Sequence, residues 1–292
     1  MTAARRVYIS DRNVAPLATL SIPGGYPAVV AGRELPYMQT LPISETTRFD
    51  DTTIRFEAAL DRAYRLTSWG FFGHNLSRDA ERKITVAADA GFTDIQFTED
   101  WTSIYEASEP SYLLDWEDPN WWDGKPLDED LAIFTKQWSY VHLAGAVAGY
   151  LRCDLRDEAN AELAIDVGYL WIGRGFQPTF SADLGAQLGF VEADLIDRAA
   201  SGFAAVEDVP SPRTHTLRFS NLSKAEAMRM YDIGRRNGVS VPILVKRDPT
   251  DTANAFRTDF IARVTKRARP KQNEQDGKLL WSVDLEIEEI LG

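Results

Sequence analysis

Short runs of alternating apolar and polar residues recur through most of this chain, and this period of two restricts its fold more than any other feature. Residues 53–60, 82–89 and 138–143 alternate in this way. Because successive side chains of a strand point to opposite faces, the alternation predicts strands that are half buried in a sheet. Turn-forming residues separate the runs, as at residues 73–75 and 157–160. Many short strands at this spacing favour a β-sandwich or jelly roll.

The last third of the chain predicts a smaller α+β unit. Ser223 and Glu226 have the spacing of a capping box, so a helix should begin there and run to about Asn237, where Gly238 ends it. A strand precedes this helix at residues 214–219. Three strands follow it, at residues 241–245, 259–266 and 280–290. The last of these alternates almost without a break, so it should be antiparallel with one buried face.

The first 45 residues differ from the rest because they carry five prolines, namely Pro16, Pro23, Pro27, Pro36 and Pro42. Proline at this density excludes a helix and interrupts a central strand. The segment is nevertheless rich in apolar residues, so it is not a polar linker. We expect an extended arm that lies on another surface, either of its own domain or of a neighbouring subunit.

The chain is therefore predicted to be mainly β and to have three parts. Residues 1–45 form the extended N-terminal arm, residues 46–206 a β-sandwich or jelly-roll domain, and residues 207–292 an α+β (β-α-β-β-β) assembly domain. Charge supports the division, since residues 46–206 hold 13 Lys and Arg against 28 Asp and Glu, whereas residues 207–292 hold 15 against 13. A difference of this kind indicates two domains with different surroundings.

Composition excludes several classes of protein. The formal net charge of −12 argues against a sequence-specific nucleic-acid binder, which needs a basic surface for phosphates. The start of the chain lacks the apolar core of a secretory signal, and no stretch approaches the ~20 apolar residues of a membrane span. The single cysteine, Cys153, cannot form an intramolecular disulfide and falls in an alternating run, which predicts a half-buried strand residue.

No motif of catalysis or cofactor binding is recognisable. The three histidines, His74, His142 and His215, are far apart and have no metal-ligand spacing. The sequence also lacks the serine elbow of hydrolases, a P-loop and a dinucleotide-binding glycine motif. We therefore predict a protein that is not an enzyme, with no catalytic, cofactor-binding or metal-binding residues.

The most unusual stretch is an acidic, tryptophan-rich loop at residues 94–130. It holds twelve Asp and Glu residues against Lys125 alone, together with four tryptophans: Trp101, Trp116, Trp121 and Trp122. These tryptophans are the candidate residues for glycan binding or another interaction, because an exposed indole offers a large apolar face with one polar edge.

The sequence leaves several interpretations of this loop open. Its aromatic residues could simply pack on the sandwich, or exposed tryptophans and carboxylates could form a platform for sugars. Asp118, Asn120 and Asp123 could bind calcium, although their spacing departs from that of an EF-hand loop. Two carboxylates could act as a glycosidase pair, or the negative charge could face a lumen and repel passing DNA.

Two stretches resemble tail-module proteins of siphophages. Residues 150–160 followed by 165–178 are similar to a strand, an Asp and Asn turn and a second strand in domains like a galactose-binding jelly roll. Residues 218–263 and 281–290 are similar to the C-terminal part of such proteins. The matching positions are apolar and turn residues, so the resemblance transfers no catalytic residue.

The resemblance implies a structural virion protein at the distal tail or baseplate, made in the host cytoplasm. Its partners would be copies of itself in a ring, as in hexameric distal tail proteins, together with the tail tube protein and the tail hub or fibre proteins. It implies no membrane partner, while the genome passes through the lumen. A carbohydrate-binding module that contacts the host surface is the alternative function.

Overall fold

The structure is a computed structural model that describes residues 6–183, 185–191, 195–198, 204–207, 210–275 and 278–291. Its strands are β1 (Tyr8–Asn13), β2 (Thr19–Ser21), β3 (Thr47–Phe49), β4 (Thr53–His74), β5 (Glu81–Ala87), β6 (Ile95–Thr98), β7 (Thr102–Ser103), β8 (Gln137–Arg156), β9 (Ile165–Phe176), β10 (Gln187–Phe190), β11 (Leu195–Arg198), β12 (Ala204–Glu207), β13 (Arg213–Leu222), β14 (Ile243–Lys246), β15 (Phe260–Lys266), β16 (Lys271–Gln275) and β17 (Lys278–Glu289). Its helices are α1 (Asp128–Ala132), α2 (Lys224–Arg236) and α3 (Ala255–Thr258). Within these described ranges, no helix is both long and apolar enough to cross a bilayer.

The prediction of a mainly β fold is confirmed. One sheet contains fifteen strands, and its main path has the order β10-β13-β17-β15-β14-β1-β9-β4-β8-β5-β6. Four further strands pair beside this path: β16 with β17, β2 with β4, β3 with β9 and β7 with β5. The strands β11 and β12 form a separate two-stranded sheet.

The jelly-roll part depends on two long strands, β4 with 22 residues and β8 with 20. Their register is interrupted between Ala59 and Tyr64, so β4 pairs with β2 before the interruption and with β9 after it. Apolar side chains from both halves, including Phe56 and Trp69, meet in one core. The two halves therefore form opposite faces of a sandwich around that core.

The predicted helix and its caps are found as expected. The Ser223 hydroxyl accepts a hydrogen bond from the Glu226 N–H at 3.3 Å, and the Glu226 carboxylate accepts one from the Ser223 N–H at 2.9 Å. Gly238 has a φ of 55°, the left-handed conformation that commonly follows a helix. The buried face of α2, with Met230 and Ile233, packs on a second core that also includes residues of β13, β15 and β17.

The N-terminal segment lies on its own chain. The strand β1 is central in the sheet, between β14 and β9, and the buried side chain of Ile9 belongs to the second core. Val14 and Met38 are buried in the jelly-roll core. The sequence left open whether the N-terminal arm lies on its own chain or on a neighbouring subunit, and the structure shows it packed on its own chain. The division of the chain into three parts stays a prediction.

Cys153 lies in β8, as the alternating sequence predicts, but it is fully buried rather than half buried, with 1% of its surface exposed. Burial raises the pKa of its thiol, so at neutral pH it is a protonated core residue.

A buried ion pair joins the two ends of the C-terminal unit. Arg213 at the start of β13 and Glu289 at the end of β17 are each 4% exposed. The Arg213 Nε donates to the Glu289 carboxylate at 2.7 Å, and the Arg213 Nη1 donates to the Phe256 carbonyl at 2.7 Å. Removing one partner leaves the other charge buried without compensation.

We therefore expect Glu289→Ala to lower the free energy of unfolding by about 3–5 kcal/mol. Glu288→Ala is the matched control, because the adjacent Glu288 pairs with Arg263, whose side chain is 51% exposed, and such a pair contributes up to about 1 kcal/mol. Urea denaturation of both variants measures the difference. Equal losses of unfolding free energy in the two variants would show that burial of the ion pair between Arg213 and Glu289 does not increase its contribution to stability.

Candidate binding site

The acidic tryptophan-rich region contains a loop that leaves the jelly roll and returns to it. We call this loop the aromatic loop and define it as residues 106–127. It starts from a fixed point, because the Ile104 N–H donates to the Ala80 carbonyl at 2.9 Å and both Ile104 and Tyr105 are buried. It returns to the body at α1, whose Leu131 is also buried.

Gly124 closes the aromatic loop upon itself. The Gly124 carbonyl accepts hydrogen bonds from the N–H groups of Ser108 at 2.9 Å and Glu109 at 3.2 Å. Gly124 has a φ of 62°, and a Cβ at this position would lie 2.0 Å from the Glu109 carbonyl oxygen. Only glycine fits there, since another residue would be strained and would clash with the backbone.

The three residues considered for calcium instead hold the aromatic loop in shape. The Asp118 carboxylate accepts from the Asp115 N–H at 2.8 Å, and the Asn120 amide donates to the Lys125 carbonyl at 2.9 Å. Asp123 pairs with Arg78 on the body of the jelly roll. Partial burial raises the pKa of Asp123, but the Lys125 N–H and the Arg78 guanidinium outweigh it, so the net shift is downward.

This framework presents aromatic side chains to solvent. The exposed fractions are 83% for Tyr112, 77% for Trp116 and 87% for Trp122. Trp121 is half buried and packs edge-on against Trp122, with the ring centroids 4.6 Å apart. Large exposed aromatics on a loop held by its own hydrogen bonds indicate an interaction surface.

The fourth predicted tryptophan, Trp101, lies outside the aromatic loop. It is half buried, and the Arg156 guanidinium of β8 lies 4.4 Å from its ring centroid. Three of the four candidate tryptophans therefore share one loop, whereas Trp101 packs on a strand. Tyr112 was not among the candidates, although its position between Trp101 and Trp116 in the sequence could have suggested it.

Unpaired carboxylates accompany the exposed aromatic rings. No described residue forms a hydrogen bond or an ion pair with the side chains of Glu109, Asp115 and Glu117, and all three are exposed. Such carboxylates can accept hydrogen bonds from hydroxyl groups. The aromatic loop thus combines apolar ring faces with acceptors, while its negative charge disfavours anionic ligands.

Two of the three histidines, His74 and His215, are buried core residues, whereas His142 is half buried. Burial lowers the pKa of His74 to about 3, and burial with the nearby Arg247 and Arg213 lowers that of His215 to about 3. Both are therefore neutral at pH 7. In the part of the chain that the structure describes, no group of three or more His, Cys, Asp or Glu side chains has the arrangement of a metal site.

A pair of carboxylates, Glu99 and Glu106, lies where the aromatic loop begins, in a cavity without room for a saccharide. Glu99 pairs with the buried Arg82 at 3.3 Å, and burial raises the pKa of Glu99, opposed by Arg82 and reinforced by Glu106. The cavity that these residues line has a volume of about 80 Å³. Ligand pockets range from about 300 to 1,000 Å³, so this cavity has room only for a few water molecules.

Comparison with known proteins gives structural neighbours only. No protein-family model matches the chain, and no curated protein matches it. Among solved structures, it is similar to CBM32-1 from a family 31 glycoside hydrolase of Clostridium perfringens, with 13% identity and a TM-score of 0.35 over 56% of this chain and 98% of that one.

Two further neighbours belong to the same structural group. The lectin-binding domain of lectinolysin, in complex with Lewis b, has 8% identity and a TM-score of 0.37 over 56% of this chain and 96% of its own. A pectin-binding carbohydrate-binding module has 11% identity and a TM-score of 0.33 over 56% of this chain and 91% of its own. The neighbours are jelly-roll domains.

Proposed function

We propose that this protein is a non-catalytic binding subunit that holds carbohydrate on its aromatic loop. The observation that carries the proposal is the exposure of Trp116 and Trp122, at 77% and 87%, on a loop closed by Gly124. Leaving two indoles in water is unfavourable unless a partner covers them. Their rigid support keeps the entropic cost of binding small.

The neighbouring groups indicate the chemistry of the partner. A sugar ring has an apolar face of C–H groups, which fits an indole, and hydroxyl groups, which fit the carboxylates of Glu109, Asp115 and Glu117. Anionic sugars would be repelled by the same carboxylates. The preferred ligands are therefore neutral glycans.

A glycan array tests this proposal directly. We expect the full chain to bind a subset of neutral glycans and to bind their sialylated or sulfated forms less well. Added salt should narrow this difference, because it screens charge repulsion and leaves the apolar contact intact. Absence of binding on an array that includes both neutral and anionic glycans would overturn the proposal.

As a second candidate function, we propose a ring subunit in the tail tip of a tailed phage, as the sequence resemblance implies. This proposal uses a different surface, the hairpin arm, which we define by the strands β10, β11, β12 and β13. At its base β10 pairs with β13, with Phe190 opposite Arg213. Further along, β11 pairs with β12, with Leu195 opposite Glu207, as a separate two-stranded sheet.

Two properties of the hairpin arm favour assembly. An isolated two-stranded hairpin is marginally stable in water, so contact with another subunit would stabilise it. Its base includes β10, the strand at one end of the sheet, where Leu188 and Phe190 are 52% and 60% exposed. An exposed apolar edge strand is a template for pairing with a further chain. The predicted assembly strand at residues 280–290 is less suited to this role, because β17 lies between β13 and β15.

Light scattering coupled to size-exclusion chromatography tests the second candidate. We expect the full chain to form a closed ring, predicted as a hexamer, and the variant with Leu188→Lys and Phe190→Lys to be a monomer. Val147→Lys is the control, because Val147 is 57% exposed but lies on β8. A wild-type chain that is monomeric at tens of micromolar would contradict ring assembly.

A further inference from the structure

A cluster of six arginines lies on the surface of this acidic protein, and neither proposed function uses it. We call it the arginine cleft and define it by Arg12, Arg62, Arg65, Arg174, Arg229 and Arg236. Two neighbouring cavities, of about 290 and 220 Å³, share Arg12 and Arg174 as common walls. The acidic residues lining them are Asp11 and Asp232, so the cleft is strongly positive in a chain of net charge −12.

The centre of the cleft is a pair of opposed like charges. Arg12 of β1 and Arg174 of β9 are direct cross-strand partners, next to a β-bulge between Ser10 and Arg12. Both are exposed, and neither forms an ion pair or a side-chain hydrogen bond with any described residue. Like charges opposite each other destabilise a sheet. Residues whose arrangement disfavours folding are expected at functional sites, so this pair indicates a binding role.

The residues around this pair are held in place. Arg236 pairs with Asp11 at the bulge, and the Arg229 guanidinium lies 4.3 Å from the ring centroid of Phe176. Burial lowers the pKa of Arg229; Asp11 opposes this shift, and the positive charge of Arg174 adds to it. Arg229 and Arg236 are seven residues apart, so α2 presents both on one face.

The second cavity is organised in a similar way. The Arg65 Nη2 donates to the Ala144 carbonyl at 2.9 Å, and the Arg62 guanidinium lies 4.9 Å from the ring centroid of Tyr64. The side chains at the rim of the cleft are therefore positioned before any ligand arrives, while the donors of Arg12 and Arg174 stay unused. Such an arrangement lowers the entropic cost of binding.

We propose that the arginine cleft binds a ligand with two or more phosphate groups. The planar guanidinium offers paired N–H donors that match the oxygens of phosphate, and such bidentate pairs are stronger than neutral hydrogen bonds. One phosphate would occupy each cavity, and Arg12 and Arg174 would contact both. Bound negative charge would also relieve the repulsion between these two arginines.

Thermal unfolding and calorimetry with tripolyphosphate, and with inorganic phosphate at equal ionic strength, test the proposal. We expect tripolyphosphate to raise the Tm of the wild-type chain and to bind more tightly than inorganic phosphate. The variant with Arg12→Gln and Arg174→Gln should bind about 100-fold more weakly, since each charged hydrogen-bonding partner accounts for roughly tenfold or more. Without ligand, its Tm should equal or exceed that of the wild type.

Arg267→Gln with Arg269→Gln is the control, because it makes the same change in charge at two exposed residues that line neither cavity. Equal Tm shifts in the wild type and in the Arg12 and Arg174 variant would overturn the proposal. A lower Tm of that variant without ligand would do the same, because it would make the pair a structural feature. Salt-sensitive self-association that requires Arg12 and Arg174 would assign the cleft to carboxylates of a second copy instead.

Discussion

Replacing both exposed tryptophans, Trp116→Ala together with Trp122→Ala, should weaken carbohydrate binding more than about 100-fold. Aromatic residues at the centre of an interface commonly contribute 2 kcal/mol or more each, which corresponds to roughly 30-fold per residue. The effects of neighbouring residues are not additive, so the double variant should lose less than the product of the two single losses.

The same variant should keep its stability, because side chains that are 77% and 87% exposed contribute little to the core. We expect the free energy of unfolding to stay within about 0.5 kcal/mol of the wild-type value. Tyr231→Ala is the control, since Tyr231 is 46% exposed on α2, outside the aromatic loop. Calorimetric titration with a glycan identified on the array measures the affinities. Unchanged affinity in the double variant would assign binding to another surface.

Removal of residues 1–45 should prevent the rest of the chain from folding. Besides Tyr8 and Ala15, the segment supplies five larger aliphatic side chains that are at most 3% exposed, namely Val7, Ile9, Val14, Met38 and Ile43. Burial of each stabilises the fold by about 1.5–3 kcal/mol, so together they contribute about 8–15 kcal/mol. This is comparable to the total stability of a typical protein, about 5–15 kcal/mol. The deletion would also leave β14 and β9 without the strand between them.

Circular dichroism and urea denaturation of the truncated chain measure this effect. Ile9→Ala provides a milder version, with an expected loss of about 2–5 kcal/mol. Leu17→Ala is its matched control in the same segment, because Leu17 is 51% exposed and should change stability little. A truncated chain that unfolds cooperatively with wild-type stability would contradict the central position of β1.

Much of the fold could be predicted because its signals are local. The capping box at Ser223 and Glu226, the glycine at 238 and the alternating strands each depend on residues a few positions apart, and the structure contains all of them. The length of β4 was not predicted. Asp61, Arg62 and Ala63 interrupt the alternation and are exposed, so the sequence resembles a turn although the strand continues through a shift of register.

The position of β1 could not be predicted for a different reason. Its partners on β14 and β9 lie more than 150 residues away in sequence, and the prolines that follow suggested an extended arm. The strand ends at Asn13, before the first of these prolines, Pro16. The alternating β17 was expected to take part in assembly, but pairing with β13 and β15 uses both of its edges.

The candidate site was partly predictable. The sequence located the aromatic loop by its composition, but it could not separate exposed from packed tryptophans, because Trp101 is held by an arginine 55 residues away. The arginine cleft left no local signal, since Arg12, Arg174 and Arg236 come from distant parts of the chain. The separate two-stranded sheet of the hairpin arm was likewise not anticipated, although residues 195–207 contain apolar residues suited to strands.

Titration of the ¹⁵N-labelled protein with a neutral glycan, followed through the indole N–H signals of its eight tryptophans, tests whether the aromatic loop binds carbohydrate. Trp116→Phe and Trp122→Phe identify the two signals of interest. We expect these two signals to shift with a common saturation curve, whereas those of the buried Trp69 and Trp171 stay in place. Saturable glycan binding that leaves the Trp116 and Trp122 signals unmoved would contradict this expectation.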